Sequence, residues 1–258
     1  NKESRVDERP CFARTQRMSE HGEEIDLIWE EHPCLVFNKP GGILSESPPG
    51  IDSLEDQVRA FVKRRESNEG NIYLGRPHRL DRPTSGAIVF ARNSRATRRL
   101  SEQFQGRTIE KVYWALVEGH LTSDRGRWED YMRKIPDVAR SEIVPQQHPD
   151  ARQAVLNYEV VRRDDYGTWL QIRLETGRTH QIRLQCATRG FPVLGDYDYG
   201  ATTEFGPSVQ EPRDRWIALH ARSLGFVHPK SRQRVNVVAP LLAPWLQLRP
   251  ATYWQSPE

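Results

Sequence analysis

Cysteine is scarce in this 258-residue chain: Cys11, Cys34 and Cys186 are three, far apart and odd in number. They form neither a disulfide framework nor the close pairs that hold zinc, which fits a reducing, cytoplasmic compartment. The eight histidines include no H-x3-H pair in a helical stretch, so no metal is expected. No apolar run approaches the roughly 20 residues that cross a bilayer. The most apolar stretch, Val237 to Leu248, is broken by Pro240 and Pro244, and Asn1 to Arg17 lacks the apolar centre of a secretory signal. A membrane partner is therefore not expected. A glycine-rich nucleotide loop is also missing, which argues against an organic cofactor. There is no internal repeat and no low-complexity tract. Charge of one sign is nearly balanced: Lys+Arg 38 against Asp+Glu 35 leaves +3. So small an excess names no polyanionic partner by itself.

What is present is arginine, preferred over lysine and concentrated in Arg92 to Arg99 and again in Arg173 to Arg189. Guanidinium groups suit bidentate phosphate contacts and stacking on bases better than ammonium groups do. For either cluster alone, a solvated helix face is an equally good reading. Hydrophobic residues make up 36% and charged residues 28%, the balance of a chain with a core.

Residues 1–24 are polar and without period, and read as a flexible extension; 25–258 read as one domain. Ile25 to Phe37 reads as a short hairpin about Glu30 to Pro33, ending in the loop Asn38-Lys39-Pro40-Gly41-Gly42. Ser53 with Asp56 three residues on opens a helix whose apolar stripe is Leu54, Val58, Phe61 and Val62. A polar loop from Arg76 to Gly86 precedes a strand at Ala87 to Ala91, and Asn93 or Ser94 caps a helix to about Gln105. Lys111 to Glu118 alternates as a strand. Leu121 to Gln147 has little periodicity and reads as an irregular crossover. Ala154 to Val160 and Leu170 to Leu174 form a hairpin about Asp164-Asp165-Tyr166-Gly167. A helix capped by Thr179 should end at Gly190, with Ile182 and Cys186 toward the core. Trp216 to Val227 and Arg234 to Val238 read as further strands. The mixture is α+β, dominated by antiparallel strands.

Four segments hold chemistry. His78-Arg79-Leu80-Asp81, with Thr84-Ser85-Gly86, offers a carboxylate between arginines: a nucleophile or base beside phosphate-binding groups, or a surface ion-pair loop. Thr176 to Arg183 offers a glycine, a helix mouth with free N–H groups and several cations, or an ordinary capped helix. Lys111 and Tyr113 share a strand face, where an aromatic is more often core than catalytic. Leu219-His220-Ala221 reads as a core strand.

Their occurrence together, in this order, resembles the RluA-type family of pseudouridine synthases. The family's H-R-L-D-x-x-T-S-G stands without mismatch from His78 to Gly86, and its G-R-x-H-Q-I-R from Gly177 to Arg183. K-x-Y-x-A appears at Lys111, Tyr113 and Ala115, and K-P-x-G at Lys39 to Gly42. The resemblance runs from about Ile25 to Ala243. It implies a pseudouridine synthase fold: a central, mostly antiparallel mixed sheet with flanking helices and a catalytic cleft across its middle. It implies isomerisation of uridine in structured RNA, ribosomal or transfer, by base flipping and glycosidic bond cleavage, with no metal or cofactor. Asp81 corresponds to the catalytic aspartate, Tyr113 to the active-site tyrosine, and Arg183 to the arginine that pairs with that aspartate. Arg79 corresponds to the side chain that fills the gap left by the flipped nucleotide. His78, Arg82, Thr84, Lys111, Arg178 and His180 are expected to bind RNA. A monomer without a DNA partner is expected, and residues 1–24 are too short for a separate N-terminal RNA-binding module.

Two other readings compete. A non-catalytic RNA-binding protein on the same fold would have lost Asp81, Tyr113 or Arg183. A glycosidase would need a second acid at fixed distance from Asp81, such as Glu175 or Asp196.

Overall fold

The structure is a computed structural model that describes residues 25–46 and 50–248. The expected extension at 1–24 and Cys11 lie outside the described residues. Ten strands form one sheet: β1 (Asp26–Glu31), β2 (Cys34–Lys39), β3 (Ser85–Ala91), β4 (Glu110–Val117), β5 (Arg125–Lys134), β6 (Ser141–Ile143), β7 (Arg152–Asp164), β8 (Gly167–Leu174), β9 (Leu219–Val227) and β10 (Arg234–Val238). Their order is β1-β2-β3-β9-β4-β8-β7-β5-β6, with β10 also on β9. Every pairing is antiparallel except β3 with β9. Four helices accompany it: α1 (Leu54–Arg65), α2 (Ser94–Gln105), α3 (Gln181–Ala187) and α4 (Ala243–Leu248). No described helix is long and apolar enough to cross a membrane.

The central strands are buried on both faces, and the helices explain why. On β3, Ala87, Val89 and Ala91 pack with Ala96 and Leu100 of α2. Ile88 and Phe90 point the other way, into a cluster with Leu54, Val58 and Val62 of α1. Both helices start where sequence places them. Ser53 Oγ accepts the Asp56 N–H, and Asn93 Oδ1 accepts the Ala96 N–H at 2.8 Å.

β3 and β9 touch at one point, and a glycine makes the touch possible. They pair only at Ser85↔His220 and Gly86↔Ala221. Gly86 has φ +117°, and a Cβ there would lie 2.4 Å from the Ala221 carbonyl oxygen. Gly86→Ala is expected to cost about 3 kcal/mol or more, combining a forbidden backbone with a backbone clash. Urea unfolding should show a lower midpoint with an unchanged slope; a midpoint equal to wild type would refute this.

Two expectations are corrected here. The segment from Leu121 to Gln147 is not an irregular crossover: β5 pairs with β7 over eight registered positions, and β6 pairs with β5. Its strands lie toward the sheet's far edge, and the inward face of β5 alternates Gly126 and Asp130 with the packed Trp128 and Met132, so no apolar alternation marks it. The helix expected from Thr179 begins instead at Gln181, and its flanking residue is His180 in the left-handed region at φ 57°.

Candidate active site

Past Gly86 the strands β3 and β9 diverge, and the loop leading into β3 enters the gap. Gly75 and Ala91 exchange two backbone hydrogen bonds of 2.8 Å. The Val89 N–H donates to His78 Nε2 at 3.0 Å, and the His78 ring stacks on Phe104 with centroids 4.4 Å apart. The His78 Nε2 lone pair is thus spent on the backbone. His78 holds the loop, and it faces the cleft as a neutral ring.

Behind the loop, two buried polar side chains set its path. Ser45 Oγ donates to the Leu80 carbonyl at 2.8 Å and accepts the Leu80 N–H at 3.0 Å. Lys39, fully buried, donates to the carbonyls of Pro40, Ile43 and Arg82 at 2.8, 2.7 and 3.0 Å. Three acceptors use all three hydrogens of an ammonium. Burial pulls Lys39 down to about 7, and the neighbouring Asp81 carboxylate pulls the other way. The result is a turn, Thr84 N–H to Asp81 carbonyl at 3.0 Å, that presents Asp81 to a cleft of about 410 Å³.

Among the described residues Asp81 is the only acidic side chain lining the cleft, together with Arg79, Arg107, Lys111, Arg178 and Arg183. Tyr113 and Lys111 both reach the cleft from β4, as their two-residue spacing predicts. Burial, and then the Asp81 charge, push the Tyr113 phenol well above its ordinary value, so it stays protonated at neutral pH. Thr84 Oγ1 is buried on the same wall with no hydrogen-bond partner. A buried hydroxyl so placed is completed by a ligand or by water.

Arg183 does not pair with Asp81. Its Nε and Nη2 each donate at 2.6 Å to the two oxygens of Asp196, a bidentate pair only 2% and 1% exposed. Asp198 takes a third contact at 3.2 Å, and the Tyr199 ring lies 4.9 Å from the guanidinium. Burial pushes Asp196 up while Arg183 pulls it down, and the two-point geometry is that of an ion pair. Within 4 Å of the Asp81 carboxylate stands instead the His180 ring, with Nε2 3.9 Å from Oδ1, an ion pair only when that ring is protonated. Its Nδ1 meets the Tyr199 hydroxyl at 3.0 Å. Burial lowers the His180 pKa, and Asp81 opposes that.

The remaining expected RNA contacts divide. Arg79 is exposed, with Glu46 4.0 Å away. Arg178 and Lys111 face the cleft, and their pKa values fall first through burial and then through the Arg107 charge beside them. Arg82 is committed: it donates to the Gly42 carbonyl at 2.8 Å and to Asp214 at 2.6 Å. Sequence reasoning missed Arg107, which no motif marks, and Gln181. The latter's Oε1 accepts from the Thr176 hydroxyl and the Arg178 N–H at 2.7 and 3.0 Å, and so shapes the turn that carries Arg178. β6 belongs to the site's support, since the Ser141 N–H donates to Tyr199 Oη at 2.8 Å and its hydroxyl to the Thr179 carbonyl at 2.9 Å. Among the described residues no group of side chains could hold a metal ion.

Two buried histidines make the site's frame acid-sensitive. Burial pulls both His78 and His220 from 6.5 to about 3. Between those values the unfolded chain holds protons that the folded chain does not, so stability falls as pH drops from about 6.5 toward 3. Each contributes up to about 1.4 kcal/mol per pH unit. Urea midpoints from pH 7 to 4 should therefore fall less steeply in His220→Gln than in wild type; parallel profiles would contradict the assignment.

Comparison with known proteins agrees with this geometry. Residues 33–188 match the RNA pseudouridylate synthase family. An uncharacterized RNA pseudouridine synthase of Synechocystis is 32% identical over 85% of this chain, although the match spans only 66% of that protein's length. The dual-specificity RNA pseudouridine synthase RluA of Haemophilus influenzae is 34% identical over 80% of this chain and 88% of its own. Among solved structures, human RNA Pseudouridylate Synthase Domain Containing 1 superposes with TM-score 0.66 at 26% identity, covering 86% of each chain. A family match over residues 33–188, together with relatives more than 30% identical over most of the chain, shows that this chain belongs to the RNA pseudouridylate synthase family, in its RluA-type branch.

Proposed function

We propose that the chain is an isomerase that converts uridine in structured RNA, ribosomal or transfer, to pseudouridine. The observation that carries this is the solitary acid: Asp81 alone among five cationic side chains on the cleft wall. Polyanionic RNA is drawn to such a wall, and one carboxylate is left to do the chemistry. The glycosidase reading needs two facing acids. Asp196 is consumed by Arg183, and Glu175 is tied to Arg127 and Asn157 outside the cleft.

The target nucleotide must leave its stack, at a cost of about a few kcal/mol. Arg79, exposed at the mouth, is placed to fill the vacated position. Arg107, Lys111 and Arg178 receive phosphates. Asp81 then acts on the ribose, as nucleophile or as the base that takes the C2′ proton, and the glycosidic bond opens. Uracil turns and rejoins through carbon, so the atoms of substrate and product are the same and no cofactor is consumed. The Tyr113 ring packs on the base, and its protonated phenol is available for the late proton transfer. Arg183 acts through Asp196 and Tyr199, which keep His180 beside Asp81. The two described cysteines are buried free thiols, which fits a reducing, cytoplasmic setting.

The test is release of tritium from 5-³H-uridine in unmodified ribosomal and transfer RNA, followed by mapping of the product. Tritium release with a mapped pseudouridine supports the reading. Binding of RNA without release would overturn it in favour of an RNA-binding protein.

A further inference from the structure

Far from the catalytic cleft, three turns meet in a second cavity of about 390 Å³. The β1–β2 turn brings His32 and Pro33, the start of α2 brings Asn93, Arg95 and Arg99, and the β9–β10 turn brings Pro229 and Lys230. Among the described residues no acidic side chain lines it. Acids on the neighbouring turns and helix are engaged elsewhere: Glu31 with His228 at 3.3 Å, Glu66 with Arg92 at 2.6 Å, and Glu102 with Arg98 at 3.8 Å. The cavity is built rather than incidental, because the Arg99 guanidinium donates to the Pro229 carbonyl at 2.5 Å and fixes one turn against the helix.

The charge arrangement is unfavourable for stability alone. α1 begins with Glu55 and Asp56 and ends with Lys63, Arg64 and Arg65, as a helix dipole prefers. α2 has no acid in its first turn, where Arg95 stands instead, and Arg98 follows in the next. Asn93 caps only the Ala96 N–H, which leaves the N–H groups of Ser94 and Arg95 without an acceptor among the described residues. Burial first, then the charges of Arg95, Arg232 and Arg98, lower the pKa of Arg99, against a weaker contrary pull from Glu102. Mutual repulsion among these cations is relieved by an anion in their midst.

We propose that this cavity holds backbone phosphate of the substrate RNA, as a docking site separate from the catalytic cleft; the proposal rests on the RNA reading given above. α2 links the two places. It starts at this cavity, and Phe104 and Gln105 at its other end line the catalytic cleft. Twelve residues of helix span about 18 Å, the length of a short RNA stem. Arg95, Arg98 and Gln105 are exposed along that length, with a single acid, Glu102, held by Arg98 at 3.8 Å. A stem flanking the target uridine therefore lies along α2, with its far phosphates between Arg95, Lys230 and Arg232.

The test uses the full chain and two probes, unmodified transfer RNA and a fragment of large-subunit ribosomal RNA. Binding is measured across salt concentrations, with tritium release followed in the same RNA. The variant Arg95→Gln/Lys230→Gln should bind more weakly, and its plot of log K against log salt should flatten by about 0.9 per lost contact, about 1.8 in all. The charge-keeping variant Arg95→Lys/Lys230→Arg should restore the slope, which a damaged fold would not. The turnover rate at saturating RNA should stay that of wild type, since neither residue lines the catalytic cleft. Wild-type affinity and slope in the glutamine variant with both RNAs would overturn the proposal while leaving the catalytic reading standing. RNA binding with a normal slope change but no tritium release in wild type would do the reverse.

Discussion

Asp81→Asn is expected to lower pseudouridine formation at least about a thousandfold, while the protein remains folded and holds RNA as well as or better than before. The loss follows from chemistry: an amide is neither nucleophile nor base at neutral pH, and removing such a group costs about 10³-fold or more. The retention follows from structure. Asp81 makes its structural bond through the backbone carbonyl, to the Thr84 N–H, and that bond survives the substitution. Its side chain has no partner closer than His180 at 3.9 Å, so little folding free energy is at stake. Removing the only negative charge from a cleft with five cations should strengthen attraction of a polyanion. Tritium release, thermal unfolding and RNA affinity measured on one preparation separate the three claims. Equal turnover in the mutant would end the mechanism. A lowered unfolding temperature with weaker RNA binding would mean that Asp81 is a structural residue.

The parts of this molecule that could be read from sequence are those whose causes are local. Ser53 with Asp56 and Asn93 with Ala96 cap helices three residues downstream, and each pair lies within one turn of chain. Ile182 and Cys186 face the core because four residues return to the same side of a helix. The order of motifs then located the site, since Asp81, Tyr113, Lys111 and Arg178 do share one cleft. What sequence concealed depends on contacts between distant segments. Lys39, which reads as the edge of a glycine-rich loop, is fully buried and bonded to Arg82 from 43 positions away. Thr179 looked like the natural cap of α3, but the Gln181 side chain occupies that turn, and seven residues carry too little periodicity to mark the true start. β5 and β6 escaped notice because the inward face of β5 interrupts Trp128 and Met132 with Gly126 and Asp130, and β6 has only three residues, although Ser141 in β6 reaches the site's support.

The partner of Arg183 is the clearest such case, and it yields a test with a large expected effect. Family resemblance pairs this arginine with the catalytic aspartate; the structure pairs it with Asp196, thirteen positions on and buried with it. Breaking a buried ion pair from one side leaves a desolvated charge uncompensated, which costs about 3–5 kcal/mol. For a chain of this size that is a fall of about 6–20 °C in unfolding temperature. Arg183→Leu should show it, and Asp196→Leu should show a loss of similar scale. The double variant Arg183→Leu/Asp196→Leu should recover much of the deficit, because no orphan charge remains. Arg183→Lys should fall between, since a lysine cannot span both carboxylate oxygens. If Arg183 instead paired with Asp81, Asp81→Asn would lower the unfolding temperature and Asp196→Asn would leave it unchanged. The structure requires the opposite order, and a single set of thermal melts on those two variants decides between them.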